Sequence, residues 1–225
     1  MNESEISLHL LRGLWKPHKT RLALVDAGHP TNVRFHRACS WLQHAESIGT
    51  DQHQEVALVN LWVAFNALYG QWDGALQQPV PDTECWKHML ERLLELDQTD
   101  LIPEILCVHR TLAIKIFGDP FLSRFFWQNP SEENAQRSRT RRYAAQTWFA
   151  EKRWLKILEA LLERIYLLRC QLVHGAATFG SSLNRSAVRH CSIMMDHLLR
   201  AFLLIWVEDG ADEDWGIMCY PPLKP

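Results

Sequence analysis

Several patterns that mark common enzyme classes are missing from this 225-residue chain. It has no HExxH segment, no zinc-finger spacing and no CxxC pair among its six cysteines, so we expect no metal site. It has neither a P-loop nor a GxGxxG segment, which argues against nucleotide-driven chemistry, and we expect no cofactor. Any chemistry is therefore expected to come from the side chains alone.

The chain also lacks a large excess of charge and a long apolar run. With 24 basic and 26 acidic residues its net charge is −2, so any binding of nucleic acid needs a local basic patch. The longest apolar run near the C-terminus, residues 201–207, is far shorter than the roughly 20 residues that span a bilayer. The acidic N-terminus and the scattered cysteines predict a cytoplasmic protein with reduced thiols and no membrane contact.

Helical periodicity is what the sequence does contain. Apolar residues recur at three- and four-residue spacing, and no segment alternates as a strand would, so we predict a single all-α bundle over residues 33–207 with a helical insertion over about 70–140. Gly13 and Pro17 predict an irregular N-terminal extension over 1–32. The acidic, then Pro-rich residues 208–225 are expected to form a tail outside the core.

Individual helices follow from the same pattern and from its interruptions. Gly49 is expected to end the first helix, and Asp51 to cap the second. Residues 70–83 are expected to form a loop, and the polar residues 128–139 a mobile connection. The predicted helices cover about 33–48, 52–69, 84–96, 101–117, 142–173 with a break near Glu151, and 183–207.

The segment Arg169-Cys170-Gln171-Leu172-Val173-His174-Gly175 is the most informative stretch. The planar guanidinium of an arginine suits a phosphate, and histidine exchanges a proton near neutral pH. Gly175 fits the left-handed position just past a helix, and the partial negative charge of a helix C-terminus favours a protonated His174. A second pair with the same spacing, Arg185 and His190, is expected to begin a helix, where a cation is disfavoured.

The spacing of Arg169 and His174 creates a geometric problem. Five residues of ideal helix turn through about 500°, so the two side chains point about 140° apart. Two effects could bring the side chains together: the helix could unwind before His174, and two copies could share a cleft around a twofold axis. We expect both effects. Because an arginine and a histidine together suit a phosphodiester, RNA is the predicted substrate. Because the two side chains diverge, a second copy of the chain is the predicted partner.

The motif Arg169-x4-His174, followed by Gly175 on the penultimate helix of an α bundle, resembles the HEPN superfamily. Residues 37–42 (RACSWL) and 61–69 (LWVAFNALY) are similar to the first helices of its Apea-like branch. The resemblance covers residues 33–70 and 150–207 and leaves the insertion outside. The residue after the motif arginine is usually polar in this superfamily, whereas here it is Cys170.

This resemblance implies a dimeric, metal-independent endoribonuclease, acting as a toxin or a phage-defence effector and regulated by an antitoxin or another protein. Arg169 and His174 of both subunits would line the interface cleft. Arg169 would clamp the phosphate, and His174 would move the proton of the 2′-hydroxyl or of the leaving oxygen. Some HEPN proteins only bind, so a module for RNA, a nucleotide or a partner protein remains an alternative, and a structural dimerisation domain is a third.

Two further groups are candidate substrate contacts. Asn66 and Tyr69 are polar residues on an otherwise apolar helix, so they face either the cleft or buried polar groups. Four arginines within residues 137–142 form a cluster, which predicts either a track for a phosphate backbone or a solvated loop. Its substrate-binding candidates are Arg139, Arg141 and Arg142.

Overall fold

The computed structural model describes residues 6–48 and 53–221. Helix accounts for 74% and strand for 3%, which confirms the all-α class. The predicted end at Gly49 and the cap at Asp51 lie outside the described residues. The α-helices are α1 (Leu8–Val25), α2 (Pro30–Ile48), α3 (Gln54–Tyr69), α4 (Asp82–Leu96), α5 (Leu101–Val108), α6 (Arg110–Gly118), α7 (Arg124–Gln128), α8 (Glu132–Ala150), α9 (Trp154–Val173) and α10 (Arg185–Glu208); a hairpin joins β1 (Trp72–Asp73) to β2 (Gln78–Pro79), and a 3₁₀ turn covers Pro120–Leu122.

Helices α3 and α10 lie at the centre of the bundle. α3 packs against α2, α10 and α9, and α10 also contacts α1, α5 and α6. By length and composition α10 resembles a membrane-crossing helix, but 72% of its most apolar window is buried inside the protein. One continuous apolar core includes Trp62 of α3, Trp86 of α4 and Trp206 of α10. Helices α4, α5, α6 and α8 contribute residues to this same core, whereas α7 does not.

Residues 8–25 form a helix, so the expectation of an irregular N-terminal extension is wrong. Gly13 and Pro17 lie inside α1. Both residues are exposed. Pro17 has no backbone N–H to donate, and the helical hydrogen bond that is therefore missing lies on the face of α1 that contacts water. The opposite face buries Leu11, Trp15 and Leu22 against α2 and α10. Tertiary packing therefore outweighs the two helix-breaking residues.

The segment between residues 101 and 150 also differs from the prediction. The helix expected over 101–117 is interrupted at His109, which divides it into α5 and α6. The connection expected to be mobile up to residue 139 is mostly helix, because the Ser131 hydroxyl caps α8 by accepting from the Asn134 N–H at 3.2 Å. The predicted break near Glu151 is confirmed between α8 and α9.

Much of the C-terminal tail packs on the core, which corrects the expectation that it lies outside. Trp215 stacks on Trp206 with ring centroids 4.2 Å apart. The buried guanidinium of Arg34 donates to the carbonyl oxygens of Leu68 (2.8 Å) and Gly70 (2.7 Å) at the end of α3. It also donates to those of Trp215 (3.3 Å) and Gly216 (3.2 Å). One side chain of α2 thus joins α3 to the tail.

We predict that Arg34→Ala lowers the free energy of unfolding by roughly 3 kcal/mol, because two buried and two partly buried carbonyl groups lose a charged donor. Arg37→Ala is the matched control one turn along α2. Its guanidinium also donates to tail carbonyls, those of Cys219 and Tyr220, but lies nearer to solvent. We expect a loss of about 1 kcal/mol or less for the control. Urea denaturation measures both, and equal losses would contradict this role of Arg34.

Candidate functional site

The end of α9 holds the two motif residues. His174 is the C-cap, and its N–H donates to the Cys170 carbonyl at 3.0 Å. Gly175 follows with φ +71°, in the left-handed region. The Ala176 N–H reaches back to the Gln171 carbonyl at 2.8 Å, and Gly175 to Leu172 at 3.4 Å, which completes a Schellman motif. The predicted role of Gly175 as a helix-capping glycine is confirmed.

Because of this cap, α9 keeps its regular turn up to its last residue. The expectation that the helix unwinds before His174 is therefore wrong, since its hydrogen bond to Cys170 is an intact helical bond. Arg169 and His174 are separated by about 7.5 Å along the helix axis and about 140° around it. One subunit alone does not aim both side chains at the same phosphate.

Arg169 is a half-buried cation whose contacts are not carboxylates. Its guanidinium carbon lies 5.9 Å from the centre of the Tyr166 ring, and Nη1 lies 4.0 Å from Cys170 Sγ. Among the described residues it forms no ion pair. Burial, with the neighbouring Cys170 thiol, raises the pKa of Tyr166, and the charge of Arg169 opposes that shift. The guanidinium is thus held in place without being neutralised.

Asn66 and Tyr69 contact each other but differ in accessibility. Tyr69 is only 1% exposed, so it is a core residue and not a surface contact for substrate. Asn66 is half-buried, and its Nδ2 donates to Tyr69 Oη at 3.1 Å and to Asp82 Oδ1 at 3.4 Å. Burial and the Asp82 carboxylate raise the pKa of Tyr69 far above its ordinary value, against the Asn66 hydrogen bond and the charge of Arg169. Of the two candidates, only Asn66 lines an open cavity.

The structure divides the arginine cluster on α8. Arg139 forms an ion pair with Glu132 at 2.7 Å, and Arg142 donates to the hydroxyl of its neighbour Tyr143 at 2.9 Å. Arg141 instead lies over the Phe125 ring, 5.1 Å from its centre, and lines a cavity against α9. The cluster is therefore on a helix and not on a solvated loop, and Arg141 is the member that faces a concave surface.

The loop after α9 exposes apolar side chains next to His174. Val173 is 51% exposed, Phe179 67% and Leu183 69%. The loop is attached to the bundle, because the Gly180 N–H donates to Glu55 Oε1 at 3.2 Å and Arg185 Nη2 donates to the Gly180 carbonyl at 2.9 Å. Three exposed apolar side chains thus fall within eleven residues of the chain, and their burial against another protein would be favourable.

Three residues that the sequence pattern did not single out line a cavity beside the middle of α9. Tyr166 and Arg164 precede Arg169 by three and five residues, and Arg124 lines the same cavity. A signal was present in the sequence, since Arg164 is a charged residue inside the apolar stripe of Leu161, Leu162, Ile165 and Leu168.

Within residues 6–48 and 53–221 no group of three or more His, Cys, Asp or Glu side chains is arranged to hold a metal ion. Comparison with known proteins gives no match to a family model, a curated protein or a solved structure. The HEPN resemblance therefore stays a prediction that rests on the residues quoted for it.

The burial of His190, in the second pair Arg185 and His190, can be tested by the pH dependence of stability. Burial, with Lys115 and Arg189 nearby, lowers the pKa of His190 below its ordinary value near 6.5. As the pH falls through 6.5 the unfolded chain therefore binds the proton first, and the folded state loses stability. We predict that the wild type loses more stability between pH 7 and pH 5 than His190→Gln does, measured by urea denaturation. If exposed His44→Gln reduces the loss equally, His190 is not the cause.

Proposed function

We propose that the chain is a metal-independent endoribonuclease of the HEPN type. Its active site would form between two subunits, from Arg169 of one and His174 of the other. The observation that carries the proposal is the end of α9, where a guanidinium without a carboxylate partner and an exposed imidazole occupy one capped helix terminus. Such a cation is available to a phosphate, and such an imidazole is available to exchange a proton.

The chemistry follows from these two groups. The ribose 2′-oxygen attacks the adjacent phosphorus and the bond from phosphorus to the 5′-oxygen breaks, giving a 2′,3′-cyclic phosphate and a 5′-hydroxyl. The proton of the 2′-hydroxyl passes to a base, and the 5′-oxygen gains a proton from an acid; His174 serves one of these steps. Arg169 binds the phosphate and stabilises the charge that develops on its oxygens.

The second copy is required by geometry and favoured by the surface. Arg169 and His174 of one chain diverge, so a shared phosphate needs a neighbouring subunit. The exposed side chains of Val173, Phe179 and Leu183, at the last residue of α9 and in the ten residues after it, would be covered by that subunit. A dimer around this surface brings the two α9 ends together.

In a cell, unrestrained RNA cleavage would make the chain a toxin or a defence effector, with an antitoxin or another regulatory protein as its partner. A second candidate function is a module that binds RNA, a nucleotide or a protein without cleaving anything. The divergence of Arg169 and His174 within one chain favours this alternative if the protein remains a monomer.

We predict that the purified protein cleaves RNA in EDTA and leaves DNA of the same sequence intact, because DNA lacks the attacking 2′-hydroxyl. His174→Ala and Arg169→Ala are expected to reduce the rate by about a hundredfold or more, as the loss of an acid–base or charge-stabilising group does. His44→Ala, an exposed histidine elsewhere, is the control with unchanged rate. Gel analysis and detection of the cyclic phosphate measure the outcome.

Three results would each overturn the proposal. One is DNA cleavage in EDTA at the rate of RNA, and another is cleavage that survives His174→Ala. The third is tight RNA binding by the folded dimer with no cleavage, which would establish the binding module instead.

A further inference from the structure

A cavity of about 380 Å³ lies between the start of α4, the segment around α7, α8 and the middle of α9. Its volume falls within the range of small-molecule sites. The residues that give it its chemistry are Ser123, Arg124, Phe125, Arg141, Arg164 and Tyr166. Of the eleven lining side chains three are cations and one, Glu163, is a carboxylate.

Arg164 is the innermost of these cations. It is 6% exposed, and its guanidinium makes only two long hydrogen bonds, to the carbonyl oxygens of Ala160 (3.3 Å) and Phe117 (3.4 Å). Its Nε is buried without a partner. In the described part of the chain it forms no ion pair. Burial, reinforced by the charge of Arg141, lowers the pKa of Arg164 to about 10. The fold therefore carries an unneutralised buried cation, which is costly without an anion.

The rest of the lining supplies more donors and little negative charge. Arg141 and Arg124 bring two further guanidinium groups to the cavity. Ser123 is 4% exposed, and its hydroxyl makes no hydrogen bond to the described residues. The one carboxylate of the lining, Glu163, lies 3.5 Å from the ammonium group of Lys87. A ligand here meets several unused donors and no free carboxylate.

We propose that this cavity binds a phosphate group, with Arg164 at its base, Arg141 and Arg124 at its rim, and the Ser123 hydroxyl as a neutral donor. A guanidinium group donates two parallel hydrogen bonds to two oxygens of one phosphate, and burial strengthens both bonds. The partly buried rings of Phe125 and Tyr166 leave an apolar wall against which a base or sugar can rest.

The phosphate can come from a free nucleotide or from an RNA chain, and both present the same oxygens to the arginines. Tyr166 connects the cavity to the proposed cleavage site, because its ring also contacts the Arg169 guanidinium. The inference goes beyond RNA cleavage and does not require it, since neither His174 nor a second subunit takes part.

Binding of three probes to the full-length protein tests the proposal: inorganic phosphate, adenosine 5′-monophosphate and a 2′-O-methyl oligoribonucleotide that no 2′-hydroxyl mechanism can cleave. Isothermal titration at several salt concentrations measures affinity, and thermal unfolding measures protection. The variants are Arg141→Gln and Ser123→Ala, with Arg139→Gln as the control on the same helix, since Arg139 is paired with Glu132 and does not line the cavity.

We expect Arg141→Gln to weaken binding about tenfold and to reduce the salt slope of oligonucleotide binding by about 0.7, as loss of one phosphate contact does. Ser123→Ala should weaken binding less than Arg141→Gln does, and Arg139→Gln should leave the affinity unchanged. Arg164→Met should abolish protection by phosphate; if that variant does not fold, Arg141→Gln still decides. Nucleotide binding without oligonucleotide binding identifies a free ligand as the source, and the reverse identifies an RNA chain.

Failure of all three probes to bind, or equal effects of Arg141→Gln and Arg139→Gln, would overturn the phosphate pocket. Neither result depends on ribonuclease activity. An active ribonuclease with an empty cavity and a phosphate-binding protein without cleavage are therefore separate and recognisable outcomes.

Discussion

The closing turn of α9 is the constraint on which the functional account depends. Gly175, at φ +71°, lets the last carbonyl groups of the helix be satisfied in a Schellman motif, so α9 stays regular through Val173. A regular helix fixes the angle between Arg169 and His174, and that angle directs them to different sides of one subunit. A residue with a Cβ in place of Gly175 would strain this turn, because L side chains rarely adopt a positive φ. Under the proposed mechanism, two chains would therefore be needed to bring Arg169 and His174 to one phosphate.

Away from the end of α9, a small number of polar connections join the elements of the bundle. Arg34 joins α2 to the end of α3 and to the tail, and the tail in turn covers Trp206 on α10 through Trp215. Burial lowers the pKa of Arg34 to about 10, so this connection carries an energetic cost that its four carbonyl acceptors offset. The Nε of Arg34 and the Nε of Arg164 are both buried without a partner, but the two guanidinium groups differ in their other hydrogen bonds. Arg34 donates to four carbonyl groups, at 2.7 to 3.3 Å, whereas Arg164 donates to only two, at 3.3 and 3.4 Å. Arg34 is thus the better paired within the fold, and Arg164 keeps more donors for a ligand.

The sequence is informative where the local pattern decides the structure. The ends of α3, α9 and α10 fall within a few residues of their predicted positions, and the capping role of Gly175 is a local property. Helix α1 was not predictable, because the exposure of Pro17 depends on which face packs against α10. The tail was not predictable either, since its position depends on an arginine 181 residues away in the chain. The arginine cavity has the same cause: Ser123, Arg141 and Arg164 converge only after α8 folds back along α9.

A subunit-complementation measurement tests the shared site most directly. Chains carrying Arg169→Ala and His174→Ala are each expected to be inactive as homodimers, because every site then lacks one group. When the two variants are expressed together, half of the dimers are mixed and one of their two sites is intact. The account predicts recovery of about a quarter of the wild-type RNA-cleaving activity for a closed twofold dimer. Mixed dimers that stay inactive while folded, or a wild-type monomer that cleaves RNA at full rate, would contradict it.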